Sequence, residues 1–178
     1  MTPEDAPRFL LHPSPVGDIL IVTTDAGIVT LHPVHDAASE EIAVISRLLH
    51  AAPIHEETDA ATDAAAQLDE YFAGARRTFD LALDWRLVRG FTGEALRAVC
   101  DIPYGETAGY GEVAIAAGSP RAARAVGTAC ATTPFSIVVP VHRVVRADGS
   151  LGEYGGHPEV KRFLIDLELA ALAQTAGE

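Results

Sequence analysis

Pro140-Val141-His142-Arg143 follows the apolar run Phe135–Val139, and Glu168 comes 26 residues after His142. An imidazole and a carboxylate can together make a general base. The carboxylate orients the ring, and the other ring nitrogen takes a proton from a nucleophile. Val141, beside this histidine, offers no nucleophile: an isopropyl group has neither lone pair nor charge. On spacing alone the set reads as a core histidine with a surface acid, and other motifs must give it a further meaning.

Several elements would position these residues. Val16 to Thr23 is apolar and β-branched, Asp25-Ala26-Gly27 supplies a turn, and Ile28 to His32 returns as a second strand. Ala38 to His50 has helical spacing through Ile42, Ile45, Leu48 and Leu49. A second helix runs from Ala60 to Ala73 and ends at Gly74, and Thr78 to Leu83 alternates as a short strand. This predicts a small α/β domain over residues 1–88. Residues 89–172 read as mainly helical: Thr92 to Cys100, Gly111 to Ala117, then a helix from Pro120 to about Ala131 with Ser119 as its N-cap. Helix, glycine-containing turn, helix is the layout of a helix-turn-helix. Phe135 to Val139 reads as a buried strand, Gly149 to Gly156 as a glycine-rich loop, and Glu159 to Leu172 as a closing helix. Residues 173–178 are a fraying tail.

Composition narrows the function classes. The 178 residues are 48% hydrophobic and 21% charged, an ordinary globular balance. No apolar run is long enough to span a membrane, and the first residues lack the pattern of a secretory signal, so a cytoplasmic protein is expected. Cys100 and Cys130 have no metal-ligand spacing, and His12, His32, His35, His50 and His55 read as solvated loop histidines; no metal is expected. A net charge of -12 argues against a generic nucleic-acid binder. Yet no acid lies between Glu112 and Asp148, where Arg121, Arg124, Arg143 and Arg146 fall, and this stretch points to local DNA contact. The single lysine, Lys161, is set down to composition rather than function.

Ile102–Thr107 (IPYGET), Ala123–Gly127 (ARAVG), Pro140–Val145 (PVHRVV) and Gly152–Gly156 (GEYGG) occur in that order, preceded by SPVGDILI and AAAQLDEYFAG. Together they resemble the O6-alkylguanine-DNA alkyltransferases over about residues 8–170. In that family the active-site string reads Pro-Cys-His-Arg-Val, and the Cys takes the alkyl group from a damaged guanine. Here the Cys position is Val141.

The resemblance implies roles. Tyr110 matches the tyrosine that rotates the target phosphate, and Arg124 the finger that fills the space of the flipped nucleotide, with Arg121 and Arg143 on the same DNA-contacting stretch. His142 matches the general base and Glu168 the carboxylate that orients it. Val139, Pro140, Tyr154, Gly155 and Gly156 match the alkylguanine pocket. An O6-alkyl group weakens pairing, so extruding that base costs less than extruding an intact one. Other departures are Thr133 for a usual Asn, Leu96 for Trp, Thr92 for Gln and Gly155 for a frequent Ser. No cofactor is implied. The expected partner is double-stranded DNA with O6-alkylguanine, read by a monomer that hands the lesion to excision-repair proteins, as in the alkyltransferase-like proteins that lack the Cys. The alternatives are a scaffold that no longer reads DNA, a transferase using Cys100 or Cys130, and an engineered Cys-to-Val variant.

Overall fold

The computed structural model describes residues 6–152 and 154–177. The start of the N-terminal segment, Glu153 of the glycine-rich loop and Glu178 of the tail lie outside them. The chain forms two compact units, Met1–Leu87 and Val88–Glu178.

The first unit is a four-stranded sheet with two helices. Its strands are β1 (Arg8–His12), β2 (Ile19–Thr24), β3 (Gly27–Pro33) and β4 (Ile54–His55), in the order β3-β2-β1-β4; β1–β2 and β2–β3 pair antiparallel and β1–β4 parallel. Ile19, Leu20, Ile21 and Val22 are all fully buried, so central strand β2 is apolar on both faces rather than alternating. Helix α1 (Ala38–Leu49) packs Ile42, Ile45 and Leu49 against Leu20, Val22 and Val29. Helix α2 (Asp59–Phe72) buries Ala61, Ala64, Leu68 and Tyr71 and also contacts β2. Thr58 caps α2 by accepting from the Ala61 N–H at 3.1 Å.

Two expectations fail in this unit. Thr78–Leu83 is not a strand; only Leu83 bridges to Ile28. The cause is the buried Gln67 side chain, which takes both polar groups of Asp80: its Oε1 accepts from the Asp80 N–H at 2.8 Å and its Nε2 donates to the Asp80 carbonyl at 3.0 Å. Three of the histidines assigned to solvated loops sit instead on strands. His12 meets Asp69 at 2.7 Å, His32 meets Glu41 at 3.0 Å, and the His55 ring lies against Phe9. Among the described residues, no group of three His, Cys, Asp or Glu could hold a metal ion.

The second unit is mainly helical: α3 (Phe91–Cys100), α4 (Tyr110–Ala116), α5 (Ala123–Ala131) and α6 (Pro158–Ala176). Helices α3, α4 and α5 pack on one another around Leu96, Val99, Val113 and Val126. Two short strands, β5 (Ala108–Gly109) and β6 (Val144–Val145), pair in parallel. The recognition-type helix starts at Ala123, not Pro120, because Ser119–Ala122 are spent on the interhelical turn: Ser119 N–H donates to the Ala114 carbonyl and Ala122 N–H to the Ser119 carbonyl. Phe135–Val139 is buried but not extended. Ile137 has φ 72°, and the Val138 and Val139 N–H groups bond within the segment, to Ser136 and Phe135. Helix α6 continues past Leu172 through Ala176. Among the described residues no helix is long and apolar enough to cross a membrane.

Candidate functional site

One tight turn and one helix make the centre of the site. Val141, His142 and Arg143 form a 3-10 turn, closed by the Arg143 N–H donating to the Pro140 carbonyl at 2.9 Å. All three side chains are buried, with Val141 at 2% exposure and His142 at 0%. Helix α6 brings Glu168 against them. His142 Nε2 lies 2.7 Å from Glu168 Oε1. Arg143 donates from Nε to Oε2 and from Nη2 to Oε1, both at 3.0 Å, and its Nη1 donates to the Ile102 carbonyl at 2.7 Å. The Gly105 N–H adds a fourth contact, donating to Oε2 at 2.8 Å.

The charge states follow from this geometry. Burial alone would push the Glu168 carboxyl up, but hydrogen bonds from His142 and Arg143 outweigh it and hold it at about 2. Burial pulls His142 below its ordinary value, against the opposing pull of Glu168. The ring is therefore neutral near neutrality and able to accept a proton, beside a carboxylate that stays ionised. Chemically this is a general base whose neighbour at 141 has no proton to give.

Arg143 corrects an expectation: the sequence sets it among the DNA-contacting arginines, yet its guanidinium is buried and committed to Glu168 and Ile102, so it cannot reach a phosphate. Arg121 and Arg124 are exposed, on the turn and first turn of α5, as a surface contact requires. Tyr110 opens α4, where Glu112 fixes the helix start by accepting from the Gly109 N–H at 2.6 Å. The β5–β6 pairing ties the residues before Tyr110 to those after the Val141 turn.

Val139 and Pro140 are buried behind the turn. The Tyr154 phenol is pushed well above its ordinary value by burial, with the Ser136 hydroxyl pulling the other way. Gly155 and Gly156, both at positive φ, are exposed beyond it. Thr133 accepts from the Phe135 N–H at 3.1 Å, a local tie at the start of the segment that leads to the Val141 turn. Neither thiol is activated: burial raises Cys130 to about 11, and Cys100, exposed at the end of α3, is raised as well.

Lys161 was missed. The only lysine of the chain is 1% exposed, and its Nζ donates to the Val144 carbonyl at 2.6 Å. The signal was present in the sequence: in a chain that otherwise uses arginine for its cations, a lone lysine is a choice of side chain.

Sequence profiles of two domains of one family match nearly the whole chain. Residues 90–170 match the DNA binding domain of 6-O-methylguanine DNA methyltransferase, and residues 8–85 match its ribonuclease-like domain. A Methanosarcina barkeri protein named methylated-DNA–protein-cysteine methyltransferase is 44% identical over 106 residues, 60% of this chain and 66% of its own length. The matched stretch thus spans just under two thirds of that relative. The crystal structure of Mycobacterium tuberculosis O6-methylguanine methyltransferase superposes with a TM-score of 0.77 at 36% identity, covering 93% of this chain and 94% of the other. The structure of Mycobacterium tuberculosis OGT in complex with DNA superposes with a TM-score of 0.75 at 36% identity, covering 93% and 94%.

Proposed function

This chain belongs to the 6-O-methylguanine DNA methyltransferase family, and on that premise we propose that it binds duplex DNA and extrudes O6-alkylguanine without removing the alkyl group. The observation that carries this reading is Val141, buried on the turn beside an otherwise complete His142–Glu168–Arg143 set. The base and its orienting carboxylate are kept while the atom they would serve is gone. Val replaces the sulfur with one methyl and adds a second, so the change removes the nucleophile and enlarges the side chain by one methyl group. Binding that ends without transfer makes the protein a lesion sensor, and a partner from excision repair would then complete the work.

Relatives named as methyltransferases favour a second reading, in which another thiol takes the alkyl group. The raised Cys130 and Cys100 thiols weigh against it.

Binding of the purified protein to a duplex with one O6-methylguanine, against the same duplex with guanine, tests the proposal, with intact-mass spectrometry on the same mixtures. The expected result is several-fold tighter binding of the lesion with no change in mass. Equal binding would sink the sensor reading, and a gained methyl would establish transfer. Val141→Cys should gain a methyl in the same assay, since it puts a thiol beside a neutral histidine.

A further inference from the structure

The string Ile102–Thr107 (IPYGET), between α3 and β5, meets the His142–Glu168–Arg143 set from a third side. Its backbone turns twice over: the Ile102 N–H donates to the Val99 carbonyl at 3.1 Å, and the Glu106 N–H to the Pro103 carbonyl at 3.1 Å. Gly105 stands third in the four residues of the second turn with φ +77°, a place where a positive φ favours glycine. Two backbone groups of the string are committed to the set. The Ile102 carbonyl accepts from Arg143 Nη1 at 2.7 Å, and the Gly105 N–H donates to Glu168 Oε2 at 2.8 Å. Tyr104, half-buried, lies between them in the chain.

Hydrogen bonds hold the Arg143 guanidinium within its own plane. Glu168 takes Nε and Nη2, each at 3.0 Å, and the Ile102 carbonyl takes Nη1 on the other side. Such bonds resist sliding but do little against tilting, because the faces of a guanidinium carry no donor. The Tyr104 ring supplies the missing restraint. Arg143 Cζ lies over it, 5.5 Å from the ring centre, within the range of a cation–π contact. The guanidinium is buried, and there the contact is stronger than at a surface.

The tilt of this plate matters to His142. The ring is faced by Glu168 and Lys161 from α6 and by Arg143 beside it in the chain. Glu168 Oε1 is shared: His142 Nε2 lies 2.7 Å away and Arg143 Nη2 3.0 Å. An arginine held flat on the carboxylate offsets part of its negative charge and withholds that part from the ring. An arginine that tilts away leaves the whole charge to His142, which then protonates more easily.

We infer that Tyr104 is a positioning residue: its ring holds Arg143 flat against Glu168 and so keeps the His142 ring free to accept a proton. This goes beyond the DNA-reading function, since it concerns the state of the base before any ligand arrives.

The test is a side-chain NMR titration of the full chain in wild type, Tyr104→Phe and Tyr104→Leu, with the His142 signals assigned by their loss in His142→Asn. Phenylalanine keeps the ring face, so Tyr104→Phe should titrate as wild type does. Leucine keeps apolar bulk without the face. Tyr104→Leu should raise the pH at which His142 protonates by about half a unit, the size of one such contact written as a titration shift. An unchanged or lowered His142 titration in Tyr104→Leu would overturn the inference. So would an equal rise in both variants, which would assign the effect to the hydroxyl. Should Tyr104→Leu fail to fold, wild type alone decides. The ring current of Tyr104 should move the Arg143 Nε–H signal upfield of its position in Tyr104→Phe-independent random coil, and a random-coil position would overturn the contact. No DNA enters the measurement, so its failure leaves lesion binding to its own test.

Discussion

Replacing Glu168 by alanine would leave the Arg143 guanidinium and the His142 ring buried without the carboxylate both contact. Breaking a buried ion pair on one side costs about 3–5 kcal/mol, because the surviving charge keeps its desolvation penalty. Urea denaturation of Glu168→Ala should show a loss of that size, whereas a surface carboxylate such as Glu70, paired with Arg76, should cost less than about 1 kcal/mol. The same cluster sets two pH responses of opposite origin. Glu168 is held at about 2 in the fold against an ordinary 4.5, so its stabilisation is complete above pH 4.5 and is lost as pH falls toward 2. His142 is held below its ordinary 6.5, so the unfolded chain binds the proton more readily and stability falls as pH drops below 6.5. His142→Asn should therefore show a shallower loss of stability just below pH 6.5 than wild type, measured as denaturation midpoint against pH. An identical slope in both would mean that the buried ring titrates normally.

Turns set the site's accuracy, and Gly105 shows how. It has φ +77°, and a Cβ there would run into Leu172 of α6, the helix that carries Glu168. Its N–H also donates to Glu168. Gly105→Ala should cost about 1–3 kcal/mol from the left-handed backbone alone. Adding Leu172→Ala should recover the steric part and not the strain, so thermal melting of the two variants separates them. Strands β2 and β3 and helices α1 to α3 could be read from apolar periodicity, and the pairing of His142 with Glu168 only from the family resemblance. What escaped depends on contacts distant in sequence. Gln67 bonds Asp80 and cancels the strand at 78–83. Ile137 adopts a left-handed backbone that a β-branched residue does not announce. Arg143 was read by its charge, but only the fold shows that Glu168 already claims it. Lys161 reads as mere composition in the sequence, yet it is buried and donates to the Val144 carbonyl just after the Val141 turn.

Charge differs sharply between the two units. Residues 1–87 hold five basic and fifteen acidic side chains, a balance of -10, and residues 88–178 hold eight and ten, a balance of -2. Tyr110, Arg121 and Arg124, the residues proposed to meet DNA, all lie in the second unit. A negative first unit repels the phosphate backbone wherever screening is weak, and the Debye length shortens from about 30 Å at 0.01 M salt to about 10 Å at 0.1 M. A fragment beginning at Val88, its helix content first verified by circular dichroism, should therefore bind undamaged duplex more tightly than the full chain at low salt. The two affinities should converge as salt rises, because long-range repulsion is screened while the proposed close contacts at Arg121, Arg124 and Tyr110 are common to both. Preference for O6-methylguanine should be the same in fragment and full chain, since Val141 and Tyr154, the residues proposed to meet the base, both lie in the second unit. If the fragment bound both duplexes equally, lesion reading would require the first unit, and the acidic domain would have a part in recognition beyond its charge.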